Sequence, residues 1–188
     1  MSLWMIALKK NSILVFDTNI FLTGIDFNYL EEPIFSTPEI INEIKVKKYR
    51  DQNRNILQRI EIAIELEKLV IKEPTEHYIK LVEEKAKLTG DINALSKTDI
   101  GLVALALELK KASNNEITLY TNDYSMENLC SELNLKFKTL FKNGIKDKIY
   151  FEVYCPYCKT TYKSEDLNKN CERCGLKLKR RFLKKEIL

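Results

Sequence analysis

The sequence predicts an α/β fold in which helices surround a mainly parallel sheet, followed by a small C-terminal zinc ribbon. Three observations support this prediction. Short apolar runs of strand length alternate with stretches of helical periodicity. Two C-x-x-C pairs lie close to the C-terminus of the chain. The 188 residues, 45% of them hydrophobic, suffice for the core of one ordinary domain beside a small module.

The elements follow in order from apolar runs and their end signals. The first run, 13–16, is apolar throughout, which is typical of a strand buried on both faces. Further strands are predicted at 33–35, 69–71, 117–121 and 135–137. Helices are predicted at 18–22, from Thr37-Pro38 onward, over 52–68, from Thr75 to Gly90, from Ser96-Lys97-Thr98-Asp99 to Lys111, and over 126–133.

These elements divide the chain into an N-terminal extension, 1–12, a main domain, 13–148, and a zinc ribbon with a basic tail, 149–188. The hinge is predicted at 142–148, and the extension is either an added edge strand or a disordered start. The early apolar run, 3–8, is too short to span a bilayer and lacks preceding basic residues. We therefore expect a soluble, cytoplasmic protein with no membrane partner.

The two C-x-x-C pairs are formed by Cys155 and Cys158 and by Cys171 and Cys174. Together they offer the four thiolates of a closed tetrahedral Zn²⁺ site. The alternative is a pair of disulfides, which the 31% charged composition and the absence of a secretory leader disfavour. A module this small requires such a cross-link to fold, so the zinc is expected to be structural.

The ribbon is basic, whereas the rest of the chain is slightly acidic. Residues 155–188 contain ten Lys or Arg against four acids, a net charge of +6 within a chain of net charge +4. A basic appendage of this kind is typical of a module that binds a polyanion, although a solvated face or a protein contact is also consistent with it. The candidate RNA-binding residues are Lys159, Tyr162, Lys163, Arg173, Lys177, Lys179, Arg180 and Arg181. The ribbon's aromatic residues either stack on bases or cover the metal site.

Four acidic residues are predicted to meet at one edge of the sheet. Asp17 and Asp123 follow strands, Asp99 starts a helix, and Glu43 lies within one. Converging carboxylates repel one another unless cations neutralise them, and hard oxygen ligands favour Mg²⁺ or Mn²⁺. Taken singly, Asp99 and Asp123 could serve a helix dipole and Glu43 could be an exposed charge. The combination, with Asp17 directly after an apolar strand, favours a metal site.

The stretches around these acids resemble those of PIN-domain nucleases, and the resemblance covers residues 13–141. The matching stretches are Val15-Phe16-Asp17-Thr18-Asn19, Thr37-Pro38-Glu39-Ile40-Ile41-Asn42-Glu43, Leu95-Ser96-Lys97-Thr98-Asp99 and Thr121-Asn122-Asp123-Tyr124-Ser125. The resemblance implies a PIN-like three-layer sandwich. It also implies that Asp17, Glu43, Asp99 and Asp123 bind the catalytic metals, with Thr18, Asn19 and Thr121 as polar support.

The stretch 88–96, the Asn-Asp-Tyr-Ser run and the ribbon narrow the resemblance to the ribosome-assembly endonucleases of archaea and eukaryotes. This implies Mg²⁺- or Mn²⁺-dependent cleavage of precursor small-subunit rRNA at its 3′ end. The implied partners are that rRNA, the pre-ribosomal small subunit and its ribosomal proteins. Two features depart from the pattern: Lys159 stands where many ribbon knuckles have glycine, and 1–12 extend beyond the usual start.

Two rival functions are considered. A toxin-type PIN ribonuclease would cut tRNA or mRNA, but such toxins are usually single compact domains without a ribbon. A non-catalytic RNA-binding assembly factor would have a degenerate site, whereas all four acidic positions are filled here. The favoured interpretation is therefore a metal-dependent endoribonuclease.

Overall fold

The chain forms two sheets in this computed structural model, which describes residues 12–23, 30–46, 54–139 and 147–187. The larger sheet consists of β1 (Ser12–Phe16), β2 (Ile34–Ser36), β3 (Leu69–Ile71), β4 (Glu116–Tyr120) and β5 (Lys136–Lys138). The helices are α1 (Thr18–Leu22), α2 (Pro38–Ile44), α3 (Arg54–Glu65), α4 (Glu76–Thr89), α5 (Lys97–Ala112) and α6 (Tyr124–Glu132). The smaller sheet consists of β6 (Asp147–Tyr154), β7 (Thr161–Tyr162) and β8 (Lys179–Ile187).

The larger sheet is parallel throughout and has the strand order β3-β2-β1-β4-β5. The predicted α/β class and the five strands are therefore confirmed. The central strand β1 pairs with β2 on one side and β4 on the other, and Ile13 and Val15 are completely buried. Helices cover both faces of such a sheet, which explains why the run is apolar without alternation.

The helices differ in their burial, in their length and in how they are capped. Along α5, every residue from Leu102 to Leu109 is buried, which is typical of a helix enclosed on all sides. The helix predicted at 52–68 ends earlier in the structure, at Glu65, because Glu67 adopts a left-handed conformation (φ 58°) two residues before β3. Thr37 and Thr75 occupy the predicted N-cap positions, but neither side chain makes a capping hydrogen bond.

The strand order indicates which edge of the sheet is suited to bind a ligand. The chain runs from β1 outward to β2 and β3, and then returns to β4 on the other side of β1. The carboxyl ends of β1 and β4 therefore flank the point where the order reverses, and ligands bind at such points in open parallel sheets. Asp17 follows β1, and Thr121 and Asp123 follow β4.

Residues 147–187, hereafter the ribbon, form a separate small unit beside the main domain. Its antiparallel strands have the order β7-β6-β8, and β6 pairs with β8 along its whole length. Val153, Leu178, Cys155 and Cys171 form its own small buried cluster. The predicted extension, except Ser12, and most of the predicted hinge lie outside the described residues. Within the described ranges, no helix has the length and apolar character needed to cross a membrane.

Candidate active site and zinc site

Asp17 lies at the centre of the candidate active site and is only 4% exposed. As the N-cap of α1, it accepts a hydrogen bond from the Thr18 backbone N–H at 2.6 Å. Its other oxygen, Oδ2, accepts a hydrogen bond from the Thr121 hydroxyl at 2.9 Å. Burial raises the pKa of Asp17 to about 6, the carboxylates of Asp99 and Glu43 add to the rise, and the two hydrogen bonds oppose it.

Glu43 is joined to this centre through α1. The Thr18 hydroxyl donates to Glu43 Oε2 at 2.6 Å, so one threonine contacts both acids through different atoms. Glu43 is exposed on the last turn of α2, and Asn19 is exposed on α1. The predicted support from Thr18 therefore has a definite geometry, whereas Asn19 lies at the exposed rim.

Asp99 and Asp123 both cap helices as well as belonging to the acidic set. Asp99 forms a capping box at the start of α5, accepting from the Ser96 backbone N–H at 2.7 Å. Asp123 is the N-cap of α6, and its Oδ1 accepts from the Ser125 N–H at 2.7 Å. The capping interpretation and the metal-ligand interpretation are thus compatible, because each cap uses one carboxylate oxygen.

Thr121 connects the two strand ends at the reversal of strand order. Its hydroxyl, fully buried, donates to Asp17 and accepts from the Asp123 backbone N–H at 3.1 Å. The carboxylates nevertheless remain apart: in the described part of the chain, only the four ribbon cysteines form a group of three or more potential ligands within 4.8 Å of one another. An open acidic arrangement suits Mg²⁺ or Mn²⁺, which keep several water ligands and bind through few carboxylates.

The buried charge at Asp17 predicts a pH-dependent stability. The pKa of Asp17 is about 6 in the folded chain against 3.8 ordinarily, so the native state loses stability as pH rises through that interval. Asp17→Asn lacks this loss and should raise the free energy of unfolding by about 1–3 kcal/mol near neutral pH. Denaturant unfolding without Mg²⁺ or Mn²⁺ should show this gain shrinking from about pH 7.5 to about pH 5.

Asp166→Asn is the control for that measurement, because Asp166 is only partly buried and pairs with Lys169 on the surface of the ribbon. Comparison of variant with wild type at each pH cancels any change in ribbon zinc. A gain for Asp17→Asn that is equal at both pH values would contradict the assignment of a raised pKa to Asp17.

The four ribbon cysteines form a site that could hold a zinc ion. All are free thiols, with Cys155 Sγ 3.3 Å from Cys174 Sγ and Cys158 Sγ 3.5 Å from Cys171 Sγ. These separations are far longer than a disulfide bond and close to the edge of a tetrahedron of sulfurs around zinc. The donor set therefore fits zinc, and the disulfide alternative is not supported.

Each C-x-x-C pair is held by a tight turn of the same form. The N–H of Lys159 donates to the Cys155 carbonyl at 3.0 Å, and the N–H of Gly175 donates to the Cys171 carbonyl at 2.8 Å. Both turn residues have a left-handed backbone, with φ of 63° for Lys159 and 73° for Gly175. Lysine thus occupies a conformation that favours glycine, at a cost of about 1–2 kcal/mol. The departure at Lys159 alters the turn's strain and leaves its shape intact.

Comparisons with known proteins identify the family of the main domain. Residues 14–109 match a family model described as the PIN domain of ribonuclease. The chain belongs to the PIN-domain ribonuclease family. It is 36% identical over 174 residues, 92% of this chain and 79% of the relative, to a protein named Endoribonuclease Nob1 from Methanocaldococcus jannaschii. As a PIN-domain endoribonuclease, it has the predicted enzyme class.

Two further relatives bear on the substrate of this PIN-domain enzyme. A protein named Ribonuclease VapC1 from Thermoplasma acidophilum is 32% identical over 99% of this chain and 87% of its own length. A protein from Saccharomyces cerevisiae named 20S-pre-rRNA D-site endonuclease NOB1 is 35% identical over 47% of this chain and 17% of its own length. The first alignment spans the ribbon as well, so possession of a ribbon does not separate this enzyme from that relative.

The ribbon residues predicted to bind RNA fall into three groups. Most are exposed, namely Lys159, Lys163, Arg173, Lys177, Lys179 and Arg181. Tyr162 is half-buried, and its hydroxyl lies 3.0 Å from Cys171 Sγ, where hydrogen bonding lowers the pKa of that thiol to about 6. Arg180 is half-buried against the main domain. The structure thus supports a role for Tyr162 beside the metal site and gives Arg180 an internal partner.

Several polar residues of this PIN-domain enzyme were given no role from sequence. Asp91 and Thr89 are 1% and 2% exposed, and Asn128 is 5% exposed. The stretch 88–96 carried a resemblance, but no pattern indicates that its residues contact the ribbon. Such contacts join segments about ninety residues apart, as with Asp91 and Arg180, and local periodicity carries no information about them.

Proposed function

We propose that this PIN-domain endoribonuclease hydrolyses precursor small-subunit rRNA at its 3′ end during ribosome biogenesis, using Mg²⁺ or Mn²⁺. The observation that carries the catalytic part is the burial of Asp17 at the reversal of strand order, where burial and, to a smaller extent, the carboxylates of Asp99 and Glu43 raise its pKa. A buried carboxylate among like charges is stable only if it binds protons or cations.

Asp17, Glu43, Asp99 and Asp123 are the residues that would hold the metal. When bound, Mg²⁺ or Mn²⁺ would make a coordinated water more acidic and offset charge on the phosphate. The chain fixes the orientation of Asp17 through Thr18 and Thr121, and the exposed Glu43 faces solvent while Thr18 holds it. Family resemblance further implies 5′-phosphate and 3′-hydroxyl products.

The rRNA assignment is supported by the relative named as a pre-rRNA D-site endonuclease and by the ribbon's charge. The ribbon, with structural zinc on its four cysteines, would contact the rRNA or a ribosomal protein of the pre-ribosomal small subunit. Cysteines that bind zinc rather than form disulfides suit a reducing compartment, which supports a cytoplasmic location.

A second candidate follows from the relative named Ribonuclease VapC1, which aligns with nearly the whole chain. Under that alternative, the enzyme would cut tRNA or mRNA. The deciding experiment incubates the full chain with a precursor small-subunit rRNA transcript, tRNA and an mRNA, each with and without Mn²⁺, and maps every end formed. A single dominant end near the 3′ boundary of the mature rRNA would support the proposal. Preferential cutting of tRNA or mRNA would contradict it.

The ribbon's part in RNA binding is tested by removing two exposed charges. Lys177→Gln with Lys179→Gln should weaken binding to the transcript and make the slope of log K against log salt shallower by about 1.4, since each lost contact with single-stranded phosphate contributes about 0.7. Fluorescence anisotropy across a salt series measures this slope. The matched control is Lys80→Gln with Lys111→Gln on the main domain. Equal slopes in both double variants would assign the ribbon to a protein contact instead.

A further inference from the structure

The turn Thr89-Gly90-Asp91, at the C-terminal end of α4, lies against the ribbon and is not part of the acidic site. Thr89 and Asp91 are almost fully buried. Buried polar side chains need hydrogen-bond partners, and an isolated buried carboxylate is especially costly. Asp91 obtains one of its partners from the ribbon, across the boundary between the two units.

Gly90 permits the backbone of the ribbon to approach this turn. It ends α4 in a left-handed conformation with φ of 80°. A Cβ at this position would lie 2.8 Å from the carbonyl oxygen of Phe151 on β6 and 3.1 Å from the Phe151 Cβ. Any larger residue would therefore meet the ribbon backbone, which cannot move aside as the end of a flexible side chain can.

Asp91 holds the ribbon through Arg180 of β8. Arg180 Nη1 donates to Asp91 Oδ1 at 3.3 Å, while its guanidinium carbon lies 4.0 Å from the centroid of the Phe151 ring. A guanidinium that is stacked on an aromatic ring and bound to a buried carboxylate is held in both distance and orientation. Arg180 is thus turned toward the main domain, unlike Arg181, which pairs with Glu152 inside the ribbon.

A second set of contacts flanks the turn on either side. The Ser164 hydroxyl donates to the Lys87 carbonyl at 2.7 Å, and the Asn93 side chain donates to the Ser164 carbonyl. Lys87 Nζ also lies 3.1 Å from Glu165 Oε1. The Tyr150 hydroxyl of β6 also donates to Glu132 Oε2 of α6 at 3.0 Å. The ribbon is therefore held at three places, of which the turn Thr89-Gly90-Asp91 is the buried one.

Asp91 also contacts α6, the helix whose N-cap is the acidic residue Asp123. The second oxygen of Asp91 accepts from Asn128 Nδ2 at 2.6 Å, and Asn128 lies on α6. The N-cap of α6 is Asp123, whose charge acts on the Asp91 carboxyl. One buried carboxylate thus contacts both the ribbon and the helix of a predicted metal ligand.

We propose that Asp91 is a positioning residue that, with Gly90 and Arg180, forms a clasp fixing the ribbon relative to the active site. RNA held on the ribbon then reaches the carboxylates at one defined distance, so the clasp determines which phosphodiester bond is cut. The proposal rests on the proposed function in that the ribbon is taken to hold RNA. The docking contact itself stands on the geometry alone.

The test compares Asp91→Ala and Arg180→Ala in the full chain. The two substitutions change net charge in opposite directions, so an effect on RNA attraction alone would give opposite phenotypes. Loss of the clasp gives the same phenotype in both. Arg181→Ala is the matched control, because it removes the same charge from the adjacent residue of β8 without touching the main domain.

The first measurement is made without RNA. Nuclear magnetic relaxation should give one rotational correlation time for the main domain and the ribbon in the wild type and in Arg181→Ala. In Asp91→Ala and Arg180→Ala, which keep the flanking contacts, the ribbon should gain motion relative to the main domain and give a shorter correlation time. Common tumbling in both of these variants, with both units folded, overturns the clasp.

The second measurement maps cuts on the precursor transcript. The preference for the main cut over all other cuts should fall about 10- to 100-fold in both clasp variants, since small misplacements of a substrate cost rate on this scale. Arg181→Ala should bind more weakly yet keep the same main cut. If the ribbon moves relative to the main domain in these variants but the preference for the main cut is unchanged, the clasp does not select the cleaved bond.

The two proposals fail in different ways. If the wild type cuts no precursor transcript, the proposed substrate is wrong, and the tumbling comparison decides the clasp by itself. If Asp91→Ala does not fold, Arg180→Ala tests the clasp instead. Arg180 is 30% exposed, so its loss should disturb the core less than loss of the buried Asp91.

Discussion

Asp17→Asn is expected to reduce RNA cleavage by about 10²- to 10³-fold, because a bound metal contributes several kcal/mol to the transition state and each 1.4 kcal/mol is a factor of ten. Asparagine keeps the shape of the side chain and can still accept from the Thr18 N–H, so the fold should survive. The measurement is single-turnover cleavage in saturating Mn²⁺, with RNA binding measured separately.

Two comparisons make this result specific. Asp123→Asn should show a similar loss while keeping α6 capped, because asparagine is as good an N-cap as aspartate. Asp166→Asn, on the ribbon surface, should cleave as the wild type does. Cleavage by Asp17→Asn and Asp123→Asn at the wild-type rate would show that the acidic site is not catalytic.

Cys155→Ser or Cys171→Ser should release zinc and unfold the ribbon while the main domain stays folded. Structural zinc contributes about 10–16 kcal/mol of binding free energy in small modules, and the ribbon's own buried cluster is small. Metal analysis should show one zinc fewer per chain, and amide signals from 147–187 should lose their dispersion in nuclear magnetic resonance spectra.

The matched control is Cys130→Ala, which alters the remaining cysteine. Cys130 is completely buried in the main-domain core, where burial raises the pKa of its thiol to about 12, so it cannot act as a thiolate. This variant should keep its zinc and lose some main-domain stability. Retention of zinc and of a folded ribbon in Cys155→Ser would contradict the four-cysteine site.

The sequence was sufficient for features that depend on neighbouring residues. The run 13–16 predicts β1 because only a doubly covered strand tolerates unbroken apolar residues, and Ser96 with Asp99 predicts the start of α5 through capping. The position of Asp17 after β1 and of Asp123 after β4 also followed from the sequence, whereas the role of the four acids as metal ligands stays a prediction. The spacing of the cysteines likewise predicted the cluster of four thiols.

Two features of the structure were not predicted from the sequence. Arg180 looks like any other basic residue of the tail, yet it binds Asp91 and stacks on Phe151. The end of α3 at Glu65 was missed because a left-handed turn at Glu67 lies within a stretch of continuing apolar periodicity. Tertiary packing decides the first case. In the second, local hydrogen bonds from the N–H groups of Glu67 and Lys68 close the helix without the glycine that usually marks such an end.

The use of Asp17, Asp99 and Asp123 as helix caps means that their carboxylates are preorganised. Each is already held by a backbone N–H group, so the metal binding proposed above would not have to immobilise three freely rotating side chains. The avoided entropic cost is about 0.5–1.5 kcal/mol for each side chain. On that proposal, the hydrogen bonds that start three helices would also strengthen the binding of a well-hydrated ion such as Mg²⁺.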